Sequence, residues 1–118
     1  MTHYEQGDVV LLPFPFTDLS AKKLRPAVVI SSNWFNRLRQ DCILAAITSQ
    51  VPPESDRDEL VLFAADLKSA GLPRPSIVKL GKITTVEQRL IQKPLGKLSS
   101  PTLAKVVNGV LEVLSIAR

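Results

Sequence analysis

Val9-Val10-Leu11-Leu12, followed by Pro13-Phe14-Pro15-Phe16-Thr17-Asp18 and then by Lys22-Lys23-Leu24-Arg25-Pro26 ahead of a second apolar run at residues 27–30, is the stretch from which the fold class of this chain follows. Each apolar run is short, rich in valine, leucine or isoleucine, and bounded by turn residues, as strands are. Two candidate strands therefore bracket a short cationic loop. Arg25 stands directly before a proline, whose ring drives the preceding residue to extended backbone. A guanidinium is thereby set at the mouth of the second strand, where it can point into a groove, and a basic groove is a place for phosphate.

Working outward, the same signals predict strands at residues 8–13, 27–31, 43–48, 60–63 and 76–80, with 83–86 continuing the last after the Gly81-Lys82 step. Their spacing, roughly ten to twenty residues, predicts a small antiparallel sheet or barrel rather than repeated strand-helix units. One long helix closes the chain, with Ser100 as N-cap and Pro101 at the first helical position, where its missing N–H costs nothing. Leu103, Val106, Val107, Val110, Leu111 and Leu114 recur at helical spacing and predict one buried stripe. Shorter helical turns are expected at residues 33–39, 64–70 and 87–90. The expected fold class is mainly β with a C-terminal helix, in one domain spanning residues 1–118.

A hydrophobic content of 45% is ample for one core, and the apolar runs are too short to cross a bilayer or serve as a secretory signal. A soluble, cytoplasmic protein is expected. The single cysteine, Cys42, rules out an internal disulfide, and its apolar flank at residues 43–47 predicts a buried thiol without chemistry. His3 is the only histidine, which excludes a hydrolase built on two. Zinc would want clustered Cys and His ligands, and the acidic run at residues 54–59 lacks the glycine turn and spacing of a calcium loop, so it reads as solvated. The five glycines are dispersed, which leaves no phosphate-binding loop or dinucleotide fingerprint. No metal and no cofactor is expected.

The net charge of +4 is segregated. Lys22, Lys23, Arg25, Arg37 and Arg39 face only Asp18 between residues 17 and 39, residues 54–59 hold four acids against Arg57, and Glu87 is the lone acid from Lys79 to Lys105. Such a pattern suits nucleic acid or an acidic protein segment; a merely solvated basic face is the plainer alternative. Polar groups remain at two strand ends, Arg25 entering one strand and Thr48-Ser49-Gln50 leaving another. An arginine fork can hold two phosphate oxygens as charge builds on them, and a hydroxyl can donate to the same phosphate. RNA supplies its own nucleophile, the 2′-hydroxyl, so a protein need only align it, stabilise the pentacoordinate phosphorus and assist proton movement. By spacing alone Arg25 and Thr48 also read as rim residues of a barrel, which is the commoner situation.

The chain resembles the PemK/MazF-type toxins of bacterial toxin–antitoxin systems. The resemblance rests on Gly7-Asp8 leading into residues 9–18, on Arg25-Pro26-Ala27-Val28-Val29-Ile30, and on Ala45-Ala46-Ile47-Thr48-Ser49. Residues 68–80 look like the family's "GL..PS.V" segment, and Ile83-Thr84-Thr85-Val86 and Leu95-Gly96-Lys97-Leu98 are also similar. It implies a small SH3-like (PemK/CcdB-type) β-barrel with short helices, a homodimer, and metal-independent, sequence-selective cleavage of single-stranded RNA that leaves a 2′,3′-cyclic phosphate and a 5′-hydroxyl. Arg25 and Thr48 are the catalytic pair so implied. The implied partner is a cognate antitoxin whose acidic disordered tail lies in the RNA groove and folds on binding.

Two departures bear on RNA contact. The loop between the first two strands lacks the glycine that many members carry, and Lys82 stands where some relatives have glutamine, which predicts a phosphate contact in place of a base-edge contact. Lys22, Lys23, Ser49 and Lys82 are the polar RNA-binding candidates, each lysine being equally readable as solvated. Ser76 either lines the groove or is a buried strand-start hydroxyl. Phe14 and Phe16 present a face for base stacking or else belong to the core, and Trp34-Phe35 is open between dimer contact and RNA channel. A related toxin group uses this barrel to bind DNA gyrase, so a non-catalytic interaction toxin and a silent RNA-binding regulator are the alternatives on the same fold.

Overall fold

The computed structural model describes residues 3–14 and 23–116. Its strands are β1 Asp8–Leu12, β2 Arg25–Val29, β3 Asp41–Thr48, β4 Glu59–Leu62, β5 Ser76–Glu87 and β6 Lys93–Lys97. Its helices are α1 Asn33–Leu38, α2 Ala64–Ala70 and α3 Ser100–Val113, with a 3-10 turn at Gln88–Leu90. The strands form one antiparallel sheet in the order β4-β5-β3-β2-β1-β6, curled as a half-barrel. Among the described residues no helix is long and apolar enough to cross a membrane.

The opening run is continuously apolar because the sheet is buried on both faces. Val9 and its partner Val28 join Ala45, Ile47 and Val78 in a core closed by Val106 and Val110 of α3. Val10, Leu12, Ala27, Val29, Leu44 and Ala46 point the other way, into a second core with Phe14 and Ile91. Successive side chains alternate between faces, so β1, β2 and β3 each feed both cores.

Several sequence expectations need correction. β2 begins at Arg25, two residues early, because pre-proline backbone is already extended. β6 was not expected: Lys93-Pro94-Leu95-Gly96-Lys97 carries a proline and a glycine and has the composition of a loop. It is an edge strand held by β1, where proline is tolerated, with a register slip between Val9 and Val10. β5 does continue through residues 83–86, yet Ala46 faces Lys79 while Ala45 faces Ile83, so residues 80–82 bulge out of the ladder with β3. The N-cap of α3 is Ser99, not Ser100. The buried stripe of α3 runs through Thr102, Val106 and Val110; at about 100° per residue Leu111 falls nearly opposite Thr102, and Leu111 and Leu114 are exposed.

At the C-terminal end of β2 a polar cluster ties α1, β3 and the 3-10 turn together. The buried Gln88 donates through Nε2 to the carbonyls of Asn36, Arg39 and Asp41 at 2.9, 3.2 and 3.1 Å, and its Oε1 accepts from the Tyr4 N–H at 2.8 Å. Asn36, fully buried, donates to the Tyr4 and Ser31 carbonyls and accepts from the Ser31 hydroxyl. Truncation at Gln88 leaves several buried groups without partners, each costing about 1–3 kcal/mol. Gln88→Ala is therefore expected to lower stability by about 2–4 kcal/mol in urea unfolding, whereas Gln92→Ala, at an exposed position, leaves the midpoint unchanged.

Cys42 lies fully buried in β3, as its flanks predict. Burial, and then the charge of Asp41, push its thiol up to about 12. Since the thiolate is the nucleophile, only about 10⁻⁴ of the thiol is reactive at pH 8. Iodoacetamide is expected to alkylate the folded protein at pH 8 at least about a hundredfold more slowly than the same chain in urea, read by mass spectrometry.

Candidate functional site

The β2–β3 ladder pairs Val29 with Leu44, Val28 with Ala45 and Ala27 with Ala46, and it starts no earlier than Ala27. Continued two residues toward the strand ends, the same register sets Arg25 across from Thr48. Arg25 and Pro26 pair instead with Leu12 and Leu11 of β1, and a proline has no N–H to give to a second neighbour. The strands thus part at this end, and the gap is flanked by a guanidinium on one strand and a hydroxyl on the other. Alternation places both on the face of Ala27 and Ala46, at the margin of the second core. Both are half-buried.

Arg25 and Thr48 line two hollows, one of about 380 Å³ and one of about 280 Å³. The larger is bounded by Lys23, Ser49, Arg74 and Lys93, with Leu72, Pro73 and Leu95 as apolar wall. The smaller is bounded by Gln50, Lys79 and Lys82, the last of which lies in the bulge of β5. Among the described residues every charged side chain lining either hollow is cationic. The Thr48 hydroxyl oxygen accepts the Gln50 N–H at 3.1 Å, which orients the oxygen and leaves its own proton to donate. Among the described residues no group of three or more His, Cys, Asp or Glu side chains is placed to hold a metal ion.

Lys23 and Ser49 are exposed in the larger hollow and Lys82 is exposed in the smaller. Ser76 lines the larger hollow but is buried, and its hydroxyl donates to the Arg74 carbonyl at 2.9 Å, so its proton is already engaged. Phe14 is core, which removes it as a stacking platform. Lys22 and Phe16 lie outside the described residues. Trp34 is exposed on α1, edge-on to Phe35 at a centroid distance of 6.1 Å, and lines neither hollow.

Sequence reasoning did not single out Arg74, Lys79 or Lys93. The flanking prolines Pro73 and Pro75 are the signal that would have found Arg74, because they stiffen the turn that displays it. The acidic run is not wholly solvated either. Glu59 belongs to β4 and binds Lys79 at 2.7 Å, directly across the β4–β5 ladder.

The profile of the family described as PemK-like, MazF-like toxin of type II toxin-antitoxin system matches residues 5–114. No curated protein sequence matches the chain. Among solved structures, the chain is similar to an endoribonuclease in complex with its cognate antitoxin from Mycobacterial species, at 18% identity over 98% of both chains with a TM-score of 0.75. It is similar to MazF from Deinococcus radiodurans at 19% identity, over 98% of this chain and 100% of the other, with a TM-score of 0.77. A MazE-MazF structure from the same organism gives 19% identity, 99% and 100% coverage, and a TM-score of 0.74. At these identities the likeness to the solved structures is one of fold.

Proposed function

The chain belongs to the PemK-like, MazF-like toxin family of type II toxin-antitoxin systems, and we propose that it is an endoribonuclease that cuts single-stranded RNA where Arg25 meets Thr48. The observation that carries this reading is that both residues line both hollows and that, among the described residues, the charged lining is cationic. A strand of RNA laid across the gap has its scissile phosphate between them, with Lys23, Arg74 and Lys93 on one side and Lys79 and Lys82 on the other to meet flanking phosphates.

In this mechanism the 2′-oxygen attacks phosphorus as its proton leaves, the bond to the 5′-oxygen breaks, and that oxygen takes up a proton. The products are a 2′,3′-cyclic phosphate and a 5′-hydroxyl. The Arg25 fork donates to the non-bridging oxygens as they gain charge, and the Thr48 hydroxyl donates to the same phosphate. A guanidinium stays protonated at any ordinary pH, so Arg25 acts by stabilising charge rather than as a base. The cationic groove equally suits an antitoxin with an acidic disordered tail, which would compete with RNA for it. Homodimerisation, a cytoplasmic location and action of residues 1–118 as a single domain complete the reading.

The test is incubation of the purified protein with mixed-sequence single-stranded RNA in EDTA, beside a pulldown of DNA gyrase. Cutting at recurrent short sequences is the expected result; gyrase capture with intact RNA would contradict it.

A further inference from the structure

We infer that Glu59 is a positioning residue for RNA cleavage: it fixes the Lys79 ammonium beside Arg25 and Thr48, so that one phosphate-binding cation of the site is preset before RNA arrives. The inference rests on the proposed ribonuclease activity and adds to it a residue outside the hollows.

Lys79 faces Ala46 across β3 and Glu59 across β4, and directly opposed residues project to one face. Ala46 shares its face with Thr48, so Lys79 and Glu59 stand on the face of the candidate site. Lys79 lines the smaller hollow together with Arg25, Thr48, Gln50 and Lys82, whereas Glu59 does not. The Glu59 carboxylate is committed at both oxygens: Oε2 accepts the Lys79 ammonium at 2.7 Å and Oε1 accepts the Asp56 N–H at 2.8 Å. A backbone bond from the Glu59 N–H to the Asp56 carbonyl at 3.0 Å closes the turn beneath it. The Glu59 side chain is only 9% exposed and that of Lys79 24%, so the pair is held where most lysines are not.

A lysine stem is flexible, and a tether that fixes the ammonium where charge builds on the phosphate favours the transition state over the bound RNA. One of the three ammonium donors is taken by Glu59, which leaves donors for the hollow. The bond to Glu59, above all, raises the Lys79 pKa, and the Asp56 N–H together with Lys79 lowers that of Glu59. The pair is charged at neutral pH, and Lys79 serves as a fixed cation rather than a proton acceptor.

The test measures single-turnover cleavage of mixed-sequence single-stranded RNA, with binding of 2′-O-methyl RNA and thermal unfolding, for the wild type, Glu59→Gln, Lys79→Met, the double variant and Glu59→Asp. Glu59→Gln and Lys79→Met are each expected to slow cleavage about tenfold, the double variant to be no slower than the worse single one, and Glu59→Asp to recover part of the rate. Binding of 2′-O-methyl RNA by Glu59→Gln is expected to change less than about threefold, a split between rate and affinity that simple loss of fold does not produce. Should Glu59→Gln fail to fold, Glu59→Asp carries the test, since the shorter carboxylate draws the ammonium back and a lowered rate at unchanged melting temperature is expected. Cleavage by Glu59→Gln within twofold of wild type, faster than wild type, or with losses that multiply in the double variant would overturn the inference. If the wild type leaves RNA intact, or Arg25→Ala cuts as fast as wild type, the site assignment fails and the role of Glu59 fails with it.

Discussion

Arg25→Ala is expected to slow RNA cleavage by about a thousandfold or more while leaving the fold intact. Charge builds on the non-bridging oxygens as phosphorus becomes pentacoordinate, and removing a preorganised donor aimed at such charge typically costs 10²–10³ in rate, more for a cation acting on a phosphoryl group. Among the described residues Arg25 is the single cation that borders both hollows. The fold should tolerate the change because Arg25 is half-buried at the first position of β2, and what β1 holds there is backbone. Arg25→Lys is expected to recover no more than a small part of the rate, since an ammonium is a point charge that lacks the two-pronged geometry of guanidinium. Thr48→Val, which keeps the shape and removes the hydroxyl, should cost less, about ten- to a hundredfold. Circular dichroism and thermal unfolding beside single-turnover cleavage separate loss of chemistry from loss of fold.

Gly96→Ala carries a large expected effect on stability. A Cβ at Gly96 would overlap the Ser69 carbonyl oxygen and the Ala70 carbonyl carbon, and one at Gly71 would overlap the Leu95 carbonyl. Backbone meets backbone at both points, so no side chain can rotate away. Gly71 also holds φ at +70° as it ends α2, which adds a conformational cost for any other residue. A substitution at Gly96 must push β6 away from the end of α2, at about 3 kcal/mol or more, which for a chain of this size lowers the melting temperature by about 10 °C or more. Gly71, Leu72 and Arg74 form one side of the larger hollow while Lys93 and Leu95 form another, so the same displacement widens the groove. Gly81→Ala is the control. A Cβ there meets only the Val113 side chain at 3.9 Å, and the change is expected to be neutral or stabilising by up to about 1 kcal/mol.

The parts of this molecule legible in its sequence are those that depend on neighbours along the chain. Apolar runs marked β1 to β5, the proline after Arg25 announced extended backbone, and Ser100-Pro101 announced the start of α3 to within one residue. What pairing decides was not legible. β6 looks like a loop because its strand character comes from β1 across the ladder and not from its own residues. Arg25 and Thr48 were named on strand ends, but that they face one another follows only from the β2–β3 register. Lys79 was one cation among many in a basic stretch until the β4–β5 register set it against Glu59, and the acid in turn read as solvent-facing for want of that same register. The α3 stripe is narrower than the sequence suggests because Leu111 and Leu114 keep helical spacing on an exposed face.

The central claim is that this groove aligns the RNA's own 2′-hydroxyl with the scissile phosphate and stabilises the charge that follows. The most direct measurement is the chemistry of the cut ends after wild-type protein and Arg25→Ala are incubated with single-stranded RNA in EDTA. Ends carrying a 2′,3′-cyclic phosphate and a 5′-hydroxyl, formed by wild type and absent with Arg25→Ala, are the predicted result. Ends carrying a 5′-phosphate, or cyclic ends formed equally well without Arg25, would contradict it.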